Sequence, residues 1–273
     1  MSARAKKSEP AEKRTVILVH GLRGDHHGLL AIAKLLQPYF RVLTPDLPGY
    51  GDRPALDNQT IDGYVEWLHD YVKRLKLVKP IIIGHSMGSI VASHFVAKYP
   101  NACAKECIFL SPIFRTSKGQ KRSNRCNDLI NFGLHLLPRG PRYRFLKSKF
   151  ISLKISHFLT YDRSQKAAID EQHVKYSGRF ISAQALMNDI SISMRTQTVI
   201  TPEKQTLCIM GQHDRLLRTE TAKAAARKKH FKLIILHSSG HLINYERPDA
   251  IVRKILKFLG ETIKPEFDDF LKP

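Results

Sequence analysis

The sequence predicts an α/β fold: a mostly parallel, six-stranded sheet with helices on both faces and an inserted helical lid. Three observations carry that expectation. Short β-branched runs alternate with segments of helical periodicity, as successive βαβ units require. The runs are apolar at nearly every position, the pattern of strands covered on both faces. The residues with chemical potential each follow one of these runs, at the edge where open parallel sheets place their sites.

The elements follow in order. Residues 15–19 form a strand, 29–36 a helix and 41–44 a second strand. Tyr64, Leu68, Tyr71, Val72 and Leu75 recur at helical spacing and predict a helix over 61–77. Residues 81–83 are a third strand, followed by a helix that runs to Lys98 and stops at Tyr99-Pro100. Strands are expected at 107–110, 207–210 and 233–236, with helices at 219–228 and 249–259. Crossovers between such parallel strands are right-handed.

The rhythm breaks between residues 113 and 204. Helical patterns are expected at 127–137, 144–159 and 179–194, with Arg139-Gly140-Pro141 separating the first two. The chain therefore divides into a basic tail (1–14), a core (15–112 and 205–263), a helical lid insertion (113–204) and a short C-terminal tail (264–273).

A chain of 273 residues with 42% hydrophobic composition can build one large domain with an insertion. No apolar run approaches the ~18 residues needed to cross a bilayer, and the basic start lacks the apolar core of a signal peptide. Cys103, Cys107, Cys126 and Cys208 show neither metal-ligand spacing nor a disulfide framework, so a reducing, cytoplasmic setting without a bound metal is expected. The net charge is +21. Residues 113–165 carry twelve Lys or Arg against Asp128 and Asp162, so about half of the excess lies in one fifth of the chain. Such a balance is either background usage or attraction to an anionic substrate, membrane surface or nucleic acid. No helix-turn-helix, zinc-finger or aromatic–basic RNA signature is present, so nucleic acid is not expected as a partner.

Chemistry concentrates in Gly84-His85-Ser86-Met87-Gly88. A serine between a strand and a helix sits on a strained turn that lifts its hydroxyl clear of the sheet, and Gly84 and Gly88 let neighbouring backbones approach. Ser86 needs a base. His241, in Ser238-Ser239-Gly240-His241 after the last strand, reaches the same edge; His213 and His237 fit packing roles better. An acid must orient that imidazole, and Asp214 follows the penultimate strand. The order Ser86, Asp214, His241 is that of the nucleophile-elbow hydrolases. For the developing oxyanion, backbone N–H groups of Met87 and of Leu22, in His20-Gly21-Leu22-Arg23-Gly24, are the candidate donors. Gly21 permits close approach there, and His20 reads as a structural hydrogen-bonding residue.

These residues, with Asp46-Leu47-Pro48-Gly49-Tyr50-Gly51 and Glu246-Arg247-Pro248, resemble the α/β-hydrolase superfamily in its branch with a helical lid. The resemblance spans about residues 14–112 and 204–262. It implies an eight-stranded sheet beginning with an antiparallel hairpin, for which the fourteen residues before Thr15 leave little chain. It implies acyl transfer to water without a cofactor, since relatives that open epoxides or displace halide carry aspartate where Ser86 stands. The expected substrate is a small-molecule ester, or thioester, of an apolar or lipid-like acid. Amide or carbon–carbon bond hydrolysis remains open, as does a non-catalytic receptor that keeps the triad as scaffold. Residues 144–159 form a basic amphipathic stretch, which either buries its apolar side over the pocket or lies on an anionic membrane as a peripheral anchor.

Overall fold

A computed structural model describes residues 13–162, 164, 166–176, 180, 182–265 and 267. Most of the basic tail, Arg179 of the third expected lid helix and most of the C-terminal tail lie outside the described residues.

Six strands build one sheet: β1 (Thr15–Val19), β2 (Arg41–Leu43), β3 (Ile81–His85), β4 (Glu106–Leu110), β5 (Gln205–Gly211) and β6 (Lys232–Leu236). Their order is β2-β1-β3-β4-β5-β6, and every neighbouring pair is parallel. No antiparallel strand joins this sheet among the described residues. The core helices are α1 (Leu30–Leu36), α2 (Ile61–Arg74) and α3 (Met87–Lys98). The insertion supplies α4 (Ser117–His135), α5 (Arg139–Lys147), α6 (Lys149–Leu159), α7 (Lys166–Tyr176) and α8 (Ala183–Arg195). The core resumes with α9 (Thr219–Lys229), α10 (Ile243–Glu246) and α11 (Pro248–Leu259).

The strands' pleat sorts their side chains. Ile17, Val19, Ile82, Phe109 and Met210 face a layer formed by α2, α3 and the insertion. Val16, Leu18, Ile83, Ile108 and Ile209 face α1 and α11. Both faces are thus covered, which is why the strand sequences are apolar throughout. Buried between sheet and α2, α3 is apolar almost all round.

Boundaries shift where local chemistry decides them. α2 ends at Arg74, not Leu77: Lys76 turns left-handed (φ 52°), and Leu77 N–H reaches back to Val72 O at 3.1 Å. Leu77 then packs on the core, which explains why its apolar spacing continued the helical pattern.

The insertion departs furthest from expectation. α4 begins ten residues before the expected 127, because Thr116 caps it by accepting from Gly119 N–H (3.1 Å) while its first half is too polar to show a stripe. Arg139-Gly140-Pro141 opens α5 instead of separating helices; a proline in a first turn lacks only an N–H that has no intrahelical partner. The expected helix 144–159 breaks at Ser148, which is extended (ψ 146°) and caps α6 through Ile151 N–H. α7 falls where no helix is expected, and the third expected helix is α8.

A hydrogen-bonded neck joins the insertion to the sheet. Ile113 and Thr198 exchange two bonds of 2.9 Å, the donors being Ile113 N–H to Thr198 Oγ1 and Thr198 N–H to Ile113 O. Arg115 N–H reaches Gln197 Oε1 (2.8 Å), and its guanidinium reaches Ser193 O and Thr196 O. On the core side, Val199 N–H is taken by Ser93 Oγ of α3 (3.0 Å).

Candidate active site

The β3–α3 junction is a sharp turn at Ser86, with φ 54° and ψ −120°. Ser86 N–H is held by Leu110 O (2.9 Å), and its carbonyl accepts from Ser89 N–H (2.9 Å) and Ser89 Oγ (2.6 Å). Tight approach makes the two flanking glycines necessary. A Cβ on Gly84 would lie 2.3 Å from Gly88 O, and one on Gly88 would lie 2.3 Å from Val19 O. This positive-φ serine is the one strained position in the motif, and the strain is what presents its hydroxyl at the sheet edge.

His241 Nε2 lies 2.9 Å from Ser86 Oγ, and His241 Nδ1 lies 2.7 Å from Asp214 Oδ2. Three residues 27 to 155 positions apart in sequence thus form one hydrogen-bonded chain. The His241 and Asp214 side chains are buried. Asp214 Oδ1 accepts from Leu216 N–H (2.8 Å) and Leu217 N–H (2.9 Å), leaving Oδ2 for the imidazole. Nδ1–H donates to that carboxylate oxygen, so the Nε2 lone pair faces the serine hydroxyl.

The His241 backbone is gripped on both sides. Its carbonyl accepts from Ser111 Oγ (2.9 Å) and from His85 Nε2–H (3.4 Å), and its N–H donates to Leu159 O at the end of α6 (2.8 Å). His85, beside Ser86, is buried; that burial, reinforced by the neighbouring His241, holds its pKa down to about 3. It therefore stays neutral as an orienting donor.

The other expected residues fall as follows. Met87 opens α3, so its N–H is one of the helix's unpaired donors beside Ser86. The β1 loop lies against the elbow: a Cβ on Gly21 would sit 3.1 Å from Ser86 Cβ, with Leu22 next in line. His20 ties this loop to the Asp46–Gly51 segment. Its Nε2 accepts from Leu47 N–H (2.9 Å) while Nδ1–H donates to Gly21 O (2.9 Å), and burial lowers its pKa. His213 stacks on Tyr161 (3.8 Å between centroids), whereas His237 is exposed and donates to Gln212 Oε1 (2.8 Å), a surface hydrogen bond instead of the expected packing role.

Glu246, Asp189 and Arg23 escaped sequence reading as contributors. The buried Glu246 carboxylate accepts three backbone N–H groups: Tyr161 (2.5 Å), Asp162 (2.7 Å) and Gly240 (2.6 Å). It thereby fastens the end of α6 to the loop that carries His241. Asp189 of α8 is buried and accepts from Tyr50 (2.7 Å), Tyr64 (2.9 Å) and Gln59 (3.4 Å), yet burial raises its pKa to about 7. Arg23 is buried too, donating to Leu146 O (2.8 Å) and Ser152 Oγ (3.2 Å) beneath the Phe180 ring. The available signal was weak: charged residues in mostly apolar or glycine-rich surroundings.

Sheet and hydrogen-bonded chain together define a class of hydrolases built on a parallel sheet with a nucleophile at a strand–helix turn. The model of the alpha/beta hydrolase family matches residues 16–254, and the chain belongs to that family. Among curated proteins, Monoacylglycerol lipase ABHD6 of Homo sapiens is 24% identical over 269 residues, spanning 93% of this chain and 77% of its own. Epoxide hydrolase 4 of Mus musculus is also 24% identical over 269 residues, spanning 91% and 74%. Among solved structures, a thermophilic esterase from Thermogutta terrifontis superposes with a TM-score of 0.70 at 21% identity, covering 91% of this chain and 90% of that one. No helix among the described residues is long and apolar enough to cross a membrane.

Proposed function

We propose that the protein is a serine hydrolase that cleaves carboxylic esters of apolar acyl groups through an acyl-enzyme intermediate. The observation that carries this reading is the continuous relay from Ser86 Oγ through His241 to Asp214, at 2.9 and 2.7 Å. In the forward step His241 takes the Ser86 proton as Ser86 attacks the ester carbonyl, then returns it to the departing alcohol. Asp214 stabilises the imidazolium formed in between. The carbonyl oxygen, gaining charge, is met by Met87 N–H at the positive end of α3 and by Leu22 N–H. Water activated by His241 then releases the acid.

An apolar acyl group is favoured by the surroundings. Met87, Phe114, Leu146, Phe180, Leu186 and Leu217 belong to one apolar cluster that runs from the elbow into the insertion. The lipase and esterase names among the relatives point the same way. The test is covalent labelling with a fluorophosphonate, combined with a nitrophenyl ester panel of increasing chain length. Ser86→Ala should abolish labelling and lower kcat by about 10⁴-fold or more. Turnover that survives this substitution would remove Ser86 as nucleophile.

A further inference from the structure

We propose that the outward face of α4 is a docking surface for an anionic lipid bilayer. The reason is that α4, apart from Leu134, which packs on the core, is built inside out. The side chains it turns toward α8 are polar: Gln120 Nε2 and Ser123 Oγ donate to Met194 O (2.7 and 2.8 Å), Asn131 donates to Ser191 Oγ (3.1 Å), and Asn127 accepts from Ser191 (3.2 Å). The residues it turns toward water are Leu129 (71% exposed), Phe132 (67%) and Leu136 (70%). A helix folded only against its own protein does the reverse, and a contiguous apolar stripe left in water marks a surface made for another phase or partner.

The spacing makes this one surface. Lys118, Lys121, Arg122 and Arg125 are exposed and precede Leu129, Phe132 and Leu136 at intervals of three and four, so cations and apolar side chains share one continuous strip. The cations sit in the helix's N-terminal half, where the macrodipole disfavours them, so local helix energetics do not account for their placement. Asp128, at the strip's margin, is neutralised by Arg195. Phe150 and Phe158 are also exposed on α6, with Lys154 Nζ 5.4 Å from the Phe150 ring centroid. The sequence reading placed a basic amphipathic face over 144–159; Leu146 instead turns inward, and the larger apolar stripe belongs to α4.

Charge selects the occupant. A symmetric contact with a second copy would set these four cations against themselves. An anionic bilayer answers both halves of the strip, taking the apolar side chains below its headgroups and the cations among them. α4 belongs to the same insertion as α6, whose end is fastened to the His241 loop.

The experiment uses the full-length protein in flotation with vesicles of phosphatidylcholine alone or with phosphatidylserine, at low and high salt. Binding is expected to the phosphatidylserine vesicles and to weaken with salt. Each basic side chain near such a surface is worth about fivefold in partitioning, so neutralising Lys118, Lys121, Arg122 and Arg125 with glutamine should lower it by roughly 10²-fold or more. Leu129→Ser, Phe132→Ser and Leu136→Ser, combined, should abolish binding while turnover of a soluble short-chain ester is unchanged. Ser86→Ala should bind vesicles like the wild type, which separates docking from the catalytic reading. Failure of the wild type to float with anionic vesicles, or flotation undiminished in either combined variant, overturns the proposal. So does a stable dimer that the triple serine variant dissociates, since the face would then belong to a second copy.

Discussion

Replacing Glu246 by glutamine changes one atom's chemistry at the seam between α6 and the His241 loop. In the wild type, Oε1 takes Tyr161 and Asp162 N–H and Oε2 takes Gly240 N–H. A glutamine has a single acceptor oxygen, so in either orientation its NH₂ faces a backbone donor. Pointing the amide at Gly240 sacrifices one fully buried bond; the opposite orientation sacrifices two, at residues with access to water. Bonds to a charged acceptor contribute about 1.5–3 kcal/mol each, so Glu246→Gln should cost about 2–4 kcal/mol. Glu246→Ala should cost about 3–5 kcal/mol, since only the Gly240 donor stays cut off from solvent. Urea unfolding followed by the fluorescence of Trp67, the sole tryptophan, reads this as a lower midpoint at unchanged slope. Gly240 immediately precedes His241, and a shift of its imidazole by about 1 Å lowers turnover by about 10²-fold. A glutamine variant within about 0.5 kcal/mol of wild type, with wild-type kcat, would refute this account of the seam.

Asp189→Asn should remove a pH dependence. Because burial raises the Asp189 pKa to about 7, the folded chain keeps a proton that the unfolded chain releases near pH 4. Below pH 4 the group contributes nothing; the Asp189 contribution to stability falls as pH rises from about 4 to 7, by up to about 4 kcal/mol in total. Buried His85 contributes an opposite slope in both proteins, so the quantity to follow is the wild-type minus variant difference, which should decline over this window and favour the asparagine variant at pH 8. A difference in urea midpoints that rises with pH would mean that the carboxylate is ionised and held by its tyrosines. Gly211→Ala places a Cβ 2.0 Å from Gly240 O and 2.5 Å from Ser239 O, so it should cost more than about 4 kcal/mol or give insoluble protein; a soluble variant with a normal melting temperature contradicts the packing described. His20→Phe keeps the ring but strands Leu47 N–H, while Gly21 O keeps the Gly24 N–H (3.2 Å), at about 1–3 kcal/mol, measured by the same unfolding curves.

What the sequence disclosed depended on whether a segment faces the sheet. The strands and core helices announce themselves because two-sided burial demands unbroken apolar runs and 3.6-residue stripes, as at residues 15–19 and 61–74. Ser86, Asp214 and His241 were legible because each follows a strand, so topology alone carries them to one edge. The insertion was not, for a physical reason. α4 reverses the usual polarity and Ser148 interrupts an otherwise continuous stripe, so periodicity misled at both. Glu246 stands out in the sequence only as a neighbour of a motif, since nothing local says that its carboxylate meets backbone more than 80 residues upstream.

The paired bonds at Ile113, Arg115, Gln197 and Thr198 have an evolutionary corollary. β4 and β5 lie side by side in the ladder, so the sheet is already continuous without the 82 residues or so that hang between these anchors. Lengthening, trimming or exchanging that appendage leaves strand register unaltered, and leaves the spacing of Ser86 and His241 unaltered as long as the contacts of Leu159, Tyr161 and Asp162 with the His241 loop are kept. Selection can therefore remodel what this scaffold accepts while leaving its reactive groups where they stand.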